Sequence, residues 1–512
     1  MKFWLVNSFL ILLSFTELYS QEKIKYKADE LKFRRINKEP VRKLIKNVIF
    51  KQGDTEIKCD SANFFNKRNV MEAYGNVIIT NSDSSIITSN LLIYDGNDKI
   101  AKLRENVIYV KNNEEIKTDN LNYYIEIKKG EYFGGGELRD ETNKLSSEIG
   151  IFYGDKDISL FYNNVEFVGD DYVLQSDSMT YNSQINEART FGYTEILSND
   201  SVYVEALGGR FRQTKNRSNL RSSKIETNKY ILEAKFIDLD DNKSLYEAKE
   251  NVILKIKESD YLVTGNSGFY DKKNNTTKIF GDVLLKKNIK NDTFYLSSDT
   301  ILAIDDNKEV SILYAYNNVK FYKNNFIGKS DSILFLIKDS TIYMYDDPIV
   351  WNGNNQITSD TINFKIYSDK IEEMNLSKNA FIISKDTIDN FNQIKGRNMK
   401  ATFLDNNYIE SIEVTGNGET IYFALNEESN IILGLNYIIC SDLKLNFINN
   451  DVDNIIFYKN PKAKLIPPHE IKDEDLYIDS FNWREDERPK INDVVHYLRK
   501  KIYLRNDLHF KN

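Results

Sequence analysis

"YGNVIIT" (Tyr74–Thr80) decides how this chain is read, because the chain writes it repeatedly. "RENVIYV" follows at Arg104–Val110, "YNNVEFV" at Tyr162–Val168 and "YNNVKFY" at Tyr316–Tyr322. The valine of the element stands at Val48, Val77, Val107, Val165, Val252, Val283 and Val319. The first gaps are 29 and 30 residues, and the next, 58, is two periods with "GGGELRD" (Gly134–Asp140) in its middle. Weaker copies are "FGYTEIL" (Phe191–Leu197), "YDDPIVW" (Tyr345–Trp351) and "SKNAFII" (Ser377–Ile383). A second element keeps step: "TSNLLIYD" (Thr88–Asp95), "KTDNLNYY" (Lys117–Tyr124), "SSEIGIFY" (Ser146–Tyr153) and "QSDSMTY" (Gln175–Tyr181). Later copies are "SSDTILA" (Ser297–Ala303), "KSDSILF" (Lys329–Phe335) and "TSDTINF" (Thr358–Phe364). Asp119, Glu148 and Asp177 are successively 29 apart, so two elements hold one period, the mark of a repeat architecture. About thirteen repeats of roughly 30 residues run from Ile45 to Ile466, loosening after Ala380.

Within each element apolar residues alternate with a period of two, which is strand behaviour. The kept pairs of the first element are Val77/Ile79, Val107/Tyr109, Val165/Phe167, Val252/Leu254, Val283/Leu285 and Val319/Phe321. Those of the second are Leu121/Tyr123, Met179/Tyr181, Ile333/Phe335 and Ile362/Phe364. The intervening positions accept Glu166 and Lys320, so one face is apolar and the other meets water. "YDGNDK", "KNNEE", "YDKKNN" and "IDDNKE" supply the Asn, Asp and Gly of tight turns. Two turn zones per repeat reverse the chain twice. The expectation is an all-β, elongated stack of short antiparallel strands, near six residues each, in two facing sheets. At two strand layers per repeat the stack would extend on the order of 100 Å. The Asp of "SD" recurs in every rung and is read as a strand-border residue that bonds local backbone, not as a catalytic one.

The net charge of -8, with acids and bases mixed along the chain, gives no basic face for nucleic acid. Thirty-two Tyr and 29 Phe against 6 Pro favour an ordered, strand-rich chain. Lys2, the apolar run Phe3–Phe15 and Leu18–Ser20 have the layout of a secretory signal peptide over 1–20. Residues 21–44 then form a lead-in, 45–466 the repeat domain and 467–512 a tail. Cys59 and Cys440 sit at opposite ends of the stack, too far apart for a disulfide. With only His469, His496 and His509, no Cys/His metal cluster can be assembled by sequence spacing, and no metal is expected.

The recurrence of "YGNVIIT", "FGDVLLK" (Phe280–Lys286), "CDSANFF" (Cys59–Phe65) and "TSDTINF", with the tail "FNWREDERPK" (Phe481–Lys490), resembles the OstA-like, LptA-type lipopolysaccharide-transport family. The closest likeness is to the long OstA-like proteins of Bacteroidota. The resemblance implies a β-jellyroll (β-taco) of two antiparallel sheets in a V, and 45–466 could then hold two successive OstA-like units. It implies an exported periplasmic protein, with association to the outer membrane as an option, that binds lipid A acyl chains, uses no cofactor and carries no catalytic residues. Implied partners are lipopolysaccharide and other transport proteins at both membranes, stacked through sheet edges, with a homo-oligomer as a further option. The twenty inward residues of the kept pairs are then the groove candidates.

Other readings stay open. A secreted scaffold or adhesin would fill the same interior with its own side chains. A polysaccharide-degrading enzyme would use "LGGRFRQ" (Leu207–Gln213) with Asp177 or Glu205. A transmembrane β-barrel would need strands of about 9–11 residues, longer than those expected here. "DLDDNKSLYE" (Asp238–Glu247) lacks the glycine and final glutamate of a calcium loop. In the tail, Pro467–Asp475 reads as a linker and Ile491–Leu504 as a basic helix or strand, a solvated end or a cap on the last sheet edge.

Overall fold

Each copy of the repeated element is half of a longer strand. In the computed structural model Val70–Thr80 runs through "YGNVIIT" as one strand of 11 residues. It pairs antiparallel with Thr55–Phe65 and with Ile86–Asp95. Between Tyr74 and Val77 the register shifts, and Gly75 and Asn76 take φ of 72° and 42°. This is a β-bulge, which bends its strand. Glycine and asparagine enter the left-handed region at least cost, so "GN" is the sequence such a bend requires. The same left-handed pair returns at Glu105-Asn106, Asn163-Asn164, Glu250-Asn251, Asn317-Asn318 and Lys378-Asn379. The Asn before the repeated Val, replaced by Asp282 before Val283, is therefore a mid-strand hinge.

The structure describes residues 23–495 except 200, 258–260, 290–291, 307–308, 325, 369, 405–407, 427–430 and 449–450. The expected signal peptide at 1–20 and the tail from 496 onward lie outside these residues. The chain divides into two units, Met1–Gly192 and Tyr193–Asn512.

In the first unit the bends fold the ladder onto itself. A straight strand of this length would part its two ends by roughly 35 Å. Yet the Lys111 ammonium, at one end of Ile100–Lys111, donates to the carbonyl of Gly154, which follows the opposite ends of the paired strands. The half-strands therefore form two facing layers joined at the column of bulges. The second unit repeats the plan: Phe326 and Phe364, from opposite strand ends, stand edge-on with ring centroids 5.4 Å apart.

The "SD" pair holds the bends. Ser89, Ser147, Ser176, Ser298 and Ser330 each donate to the carbonyl two residues on, at 2.9–3.2 Å. The acidic partner reaches across to the next strand's bulge: Asp60 to Asn76 at 2.9 Å, Glu148 to Asn164 at 2.6 Å and Asp360 to Asn379 at 2.9 Å. At Asp119 and Asp442 the acid accepts from backbone, as expected, but from Asn106 N and Gly416 N in a neighbouring strand's bulge, so the expected role changes in being cross-strand and not local.

Two further expectations change. Strands are 10 to 12 residues through most of the first unit and reach 17 in Ile409–Leu425 and Ile432–Ile448. The short-strand estimate counted half-strands, because alternation restarts at each bulge. The longer late strands are also why the spacing loosens after Ala380. Strand length thus no longer argues against a barrel. Polarity still does: Lys58, Lys102 and Lys117 point outward, where a barrel would need apolar residues. No helix among the described residues is long and apolar enough to cross a membrane. The lead-in is itself sheet: Lys25–Lys27 and Glu30–Ile36 both pair with Glu39–Gln52.

Gly75 tests the hinge. A Cβ there would lie 2.5 Å from Asp60 Oδ2, at a φ that β-branched residues avoid. Gly75→Val is expected to lower the stability of the first unit by about 1–3 kcal/mol, read as a reduced urea midpoint, without changing the far-ultraviolet spectrum.

Candidate functional site

Alternation around each hinge sends one residue in two into the space between the layers. In the first unit Val77, Ile79, Val107, Tyr109, Leu121, Tyr123, Val165, Phe167, Met179 and Tyr181 all lie there, none more than 3% exposed. In the second unit Val252, Val283, Leu285, Val319, Phe321, Ile333, Ile362 and Phe364 are buried, while Leu254 and Phe335 are half-buried. Each set shares an interior within its own unit.

The interior is aromatic as well as aliphatic. Tyr109 packs on Phe152 with centroids 4.6 Å apart, and Phe321 on Phe326 at 5.7 Å. Burial pushes the Tyr123 and Tyr132 hydroxyls up to about 12, so they stay neutral at physiological pH. Removing hydrocarbon from water is worth about 0.8 kcal/mol per CH₂, so these side chains gain by packing on one another.

The other candidate chemistries do not assemble. Glu205 ion-pairs with Lys224 at 3.4 Å and accepts from Tyr193 at 3.1 Å, and Arg212 donates to Asn219 at 2.9 Å. Asp238 is held by Arg217, and Asp240 accepts from Lys243 N at 3.1 Å within its own turn. Among the described residues no group of three or more His, Cys, Asp or Glu side chains is placed to hold a metal ion. Cys59 and Cys440 are buried free thiols.

A second apolar surface escaped the sequence reading. In the second unit, Trp351, Gln356, Ile383, Gln393 and Ile421 are successive cross-strand partners on the face turned away from the interior. Residues 467–490 cross this face as a strap: Ile471, Leu476, Ile478, Phe481 and Trp483 pack against Phe381, Ile383, Ile421, Phe423 and Leu435. Gln393, fully buried, donates to Leu476 O at 2.7 Å and accepts from Ile478 N at 2.8 Å. Gln356 holds Asn482 O and Arg484 N in the same manner, both at 2.7 Å. Arg484 then grips both Asp347 carboxylate oxygens at 2.7 Å, and Glu487 bonds Arg484 and Lys329. Pro467–Asp475, expected as a linker, is therefore part of a packed strap. The signal was present in "PIVW", "AFII" and "TIYF", where consecutive apolar residues break the one-sided alternation and ask for cover on both faces. Of the expected basic helix, residues 491–495 are helical.

Two segments of the chain match family models. Residues 21–177 match the OstA-like protein, and residues 262–370 match the LptA/(LptD N-terminal domain) LPS transport protein. A comparison with curated proteins gives no match. Among solved structures, similarity is found to the crystal structure of LptH, titled the LptA homologous periplasmic component of the conserved lipopolysaccharide transport device from Pseudomonas aeruginosa. That likeness has 14% identity and a TM-score of 0.14, and covers 28% of this chain and 80% of that chain.

The strap yields two expectations. Gln393→Leu leaves two buried backbone groups unpaired and should cost about 1–3 kcal/mol of strap attachment, seen as faster tryptic cleavage after Lys472. Hydrogen bonds to Arg484 and Lys329 hold Glu487 down at about 2, from 4.5 when unpaired. A depressed carboxylate stabilises above its unfolded pKa and loses that contribution as pH falls through its folded one. Trp483 fluorescence should thus be constant at pH 5 and above and change between about pH 4.5 and 2, with Arg484→Ala moving the transition upward.

Proposed function

Since its segments 21–177 and 262–370 belong to the OstA-like, LptA-type family, we propose that the protein works in lipopolysaccharide transport in the periplasm. In this reading acyl chains of lipid A lie against the inward residues of the folded ladder while sugar and phosphate stay in water. The observation that carries it is the pair of apolar half-sheets facing each other, rung after rung, across a polar-skinned ladder. The protein does no bond chemistry in this role. It would help bridge the inner and outer membranes with other transport proteins. Those partners would add strands at exposed edges such as Glu30–Ile36, where Phe33 is 75% exposed.

A filled-core scaffold is the second reading. It is favoured for the first unit alone, whose inward side chains leave almost no surface open.

A photo-crosslinking residue at Leu254, Phe321 or Phe335 tests the transport role. Lipopolysaccharide adducts at these positions, and loss of surface lipopolysaccharide on depletion of the protein, are the expected results. An intact fold that gives no adducts, together with normal surface lipopolysaccharide after depletion, would leave the scaffold reading in its place.

A further inference from the structure

The two units share a strand plan but differ at one row, the last inward residues before one set of turns. In the first unit Phe64, Met71, Tyr94, Tyr123 and Phe152 belong to this row and are all buried. Its counterpart in the second unit runs without a break across neighbouring strands and includes Leu239, Tyr246, Tyr270, Leu313, Phe335 and Ile342. Every one of these six is half-buried.

The hydrogen bonds supply the cause. In the first unit, groups at the two opposing sets of turns bond one another across the mouth between the layers. Tyr94 OH donates to Gln52 Oε1 at 2.6 Å, and Gln52 Nε2 donates to Gly96 O at 2.8 Å. Lys111 reaches Gly154 O, and Tyr181 OH donates to Asp140 Oδ2 at 2.8 Å. Gln52, Lys111 and Asp140 stand 59 and 29 residues apart, whole multiples of the repeat, so the contacts form a ladder along the mouth. In the second unit the tyrosines of the same row turn back: Tyr246 OH donates to Asp241 and Tyr270 OH to Asn275, each in its own hairpin.

We propose that this polar ladder latches the first unit shut, and that acyl chains are admitted only at the half-open rungs of the second unit, between Tyr230–Asp240 and Thr341–Tyr345. The proposal rests on the transport reading for its occupant. The half-buried row passes through eight adjacent strands, about 34 Å at the usual spacing, one residue wide and, apart from Thr277, aliphatic or aromatic. A linear alkyl chain has that shape. In the first unit such a chain would have to displace the hydrogen bonds that close the mouth, of which those of Gln52 are buried.

Thiol labelling of the full-length protein separates the two claims. In a Cys59→Ala/Cys440→Ala background, Leu313→Cys is expected to react with N-ethylmaleimide at least tenfold faster than Met71→Cys. Lipopolysaccharide should slow Leu313→Cys alone, and myristate serves as the bare alkyl comparison. Gln52→Ala should raise the Met71→Cys rate several-fold, and Lys111→Met gives an independent opening should Gln52→Ala fail to fold. Equal rates at the two positions would overturn the latch. Lipopolysaccharide protection of both would overturn the division between units while leaving the transport reading intact. Fast labelling of Leu313→Cys that neither lipid slows would overturn the acyl occupant and, with it, the transport reading, while the latch would stand.

Discussion

The folded ladder depends on a β-bulge placed in the middle of alternate strands. Two residues in left-handed conformation, the second most often Asn, kink a long strand so that its halves belong to two facing layers. That conformation is unfavourable for most side chains, and the fold offsets it locally. The serine of one rung bonds its own strand beyond the bend, and the acid beside it bonds the asparagine of the next. Within each unit the device repeats from rung to rung, so its bends line up as a column, and the two apolar half-faces close on each other along it.

The interior that results is mostly apolar, and in the reading proposed above its access is set by polar groups at the strand ends. In the first unit glutamine, tyrosine, lysine and aspartate from opposing turns meet across the mouth. In the second unit equivalent tyrosines satisfy their hydroxyls within their own hairpins, and the row beneath them stays half open. The strap works by a related economy of polar contacts. Two buried glutamines, each presenting a donor and an acceptor, imitate strand backbone and hold an irregular segment against a sheet face. Arg484 and its carboxylates then pin the far end.

Much of this was legible in the residues. Period-two alternation marked the inward set, and burial of Val77, Ile79, Met179 and Tyr181 follows from that pattern directly. The 29-residue spacing announced a ladder of equal rungs, and the periodic "SD" and "NV" marked where each rung needed help. What misled the reading was the restart of alternation at each bulge, which made one strand of 11 residues look like two short ones. The two-sided apolar runs around Trp351, Ile382 and Tyr422 were a sign of a covered outer face, but the covering strap is over a hundred residues from Gln356 and has no periodicity of its own.

By itself the sequence determined the repeat, the strands, the inward face and the left-handed hinge, because each is a matter of a few neighbouring residues and their steric or hydrophobic preferences. Only the tertiary structure decided which polar groups meet across a mouth and what lies over the second apolar face. Gln52 with Gly96, and Gln393 with Leu476, are 44 and 83 residues apart. Nothing in the local chemistry of a glutamine says whether it will face water or a backbone amide. That choice is made when the bent strands bring distant turns within hydrogen-bonding reach.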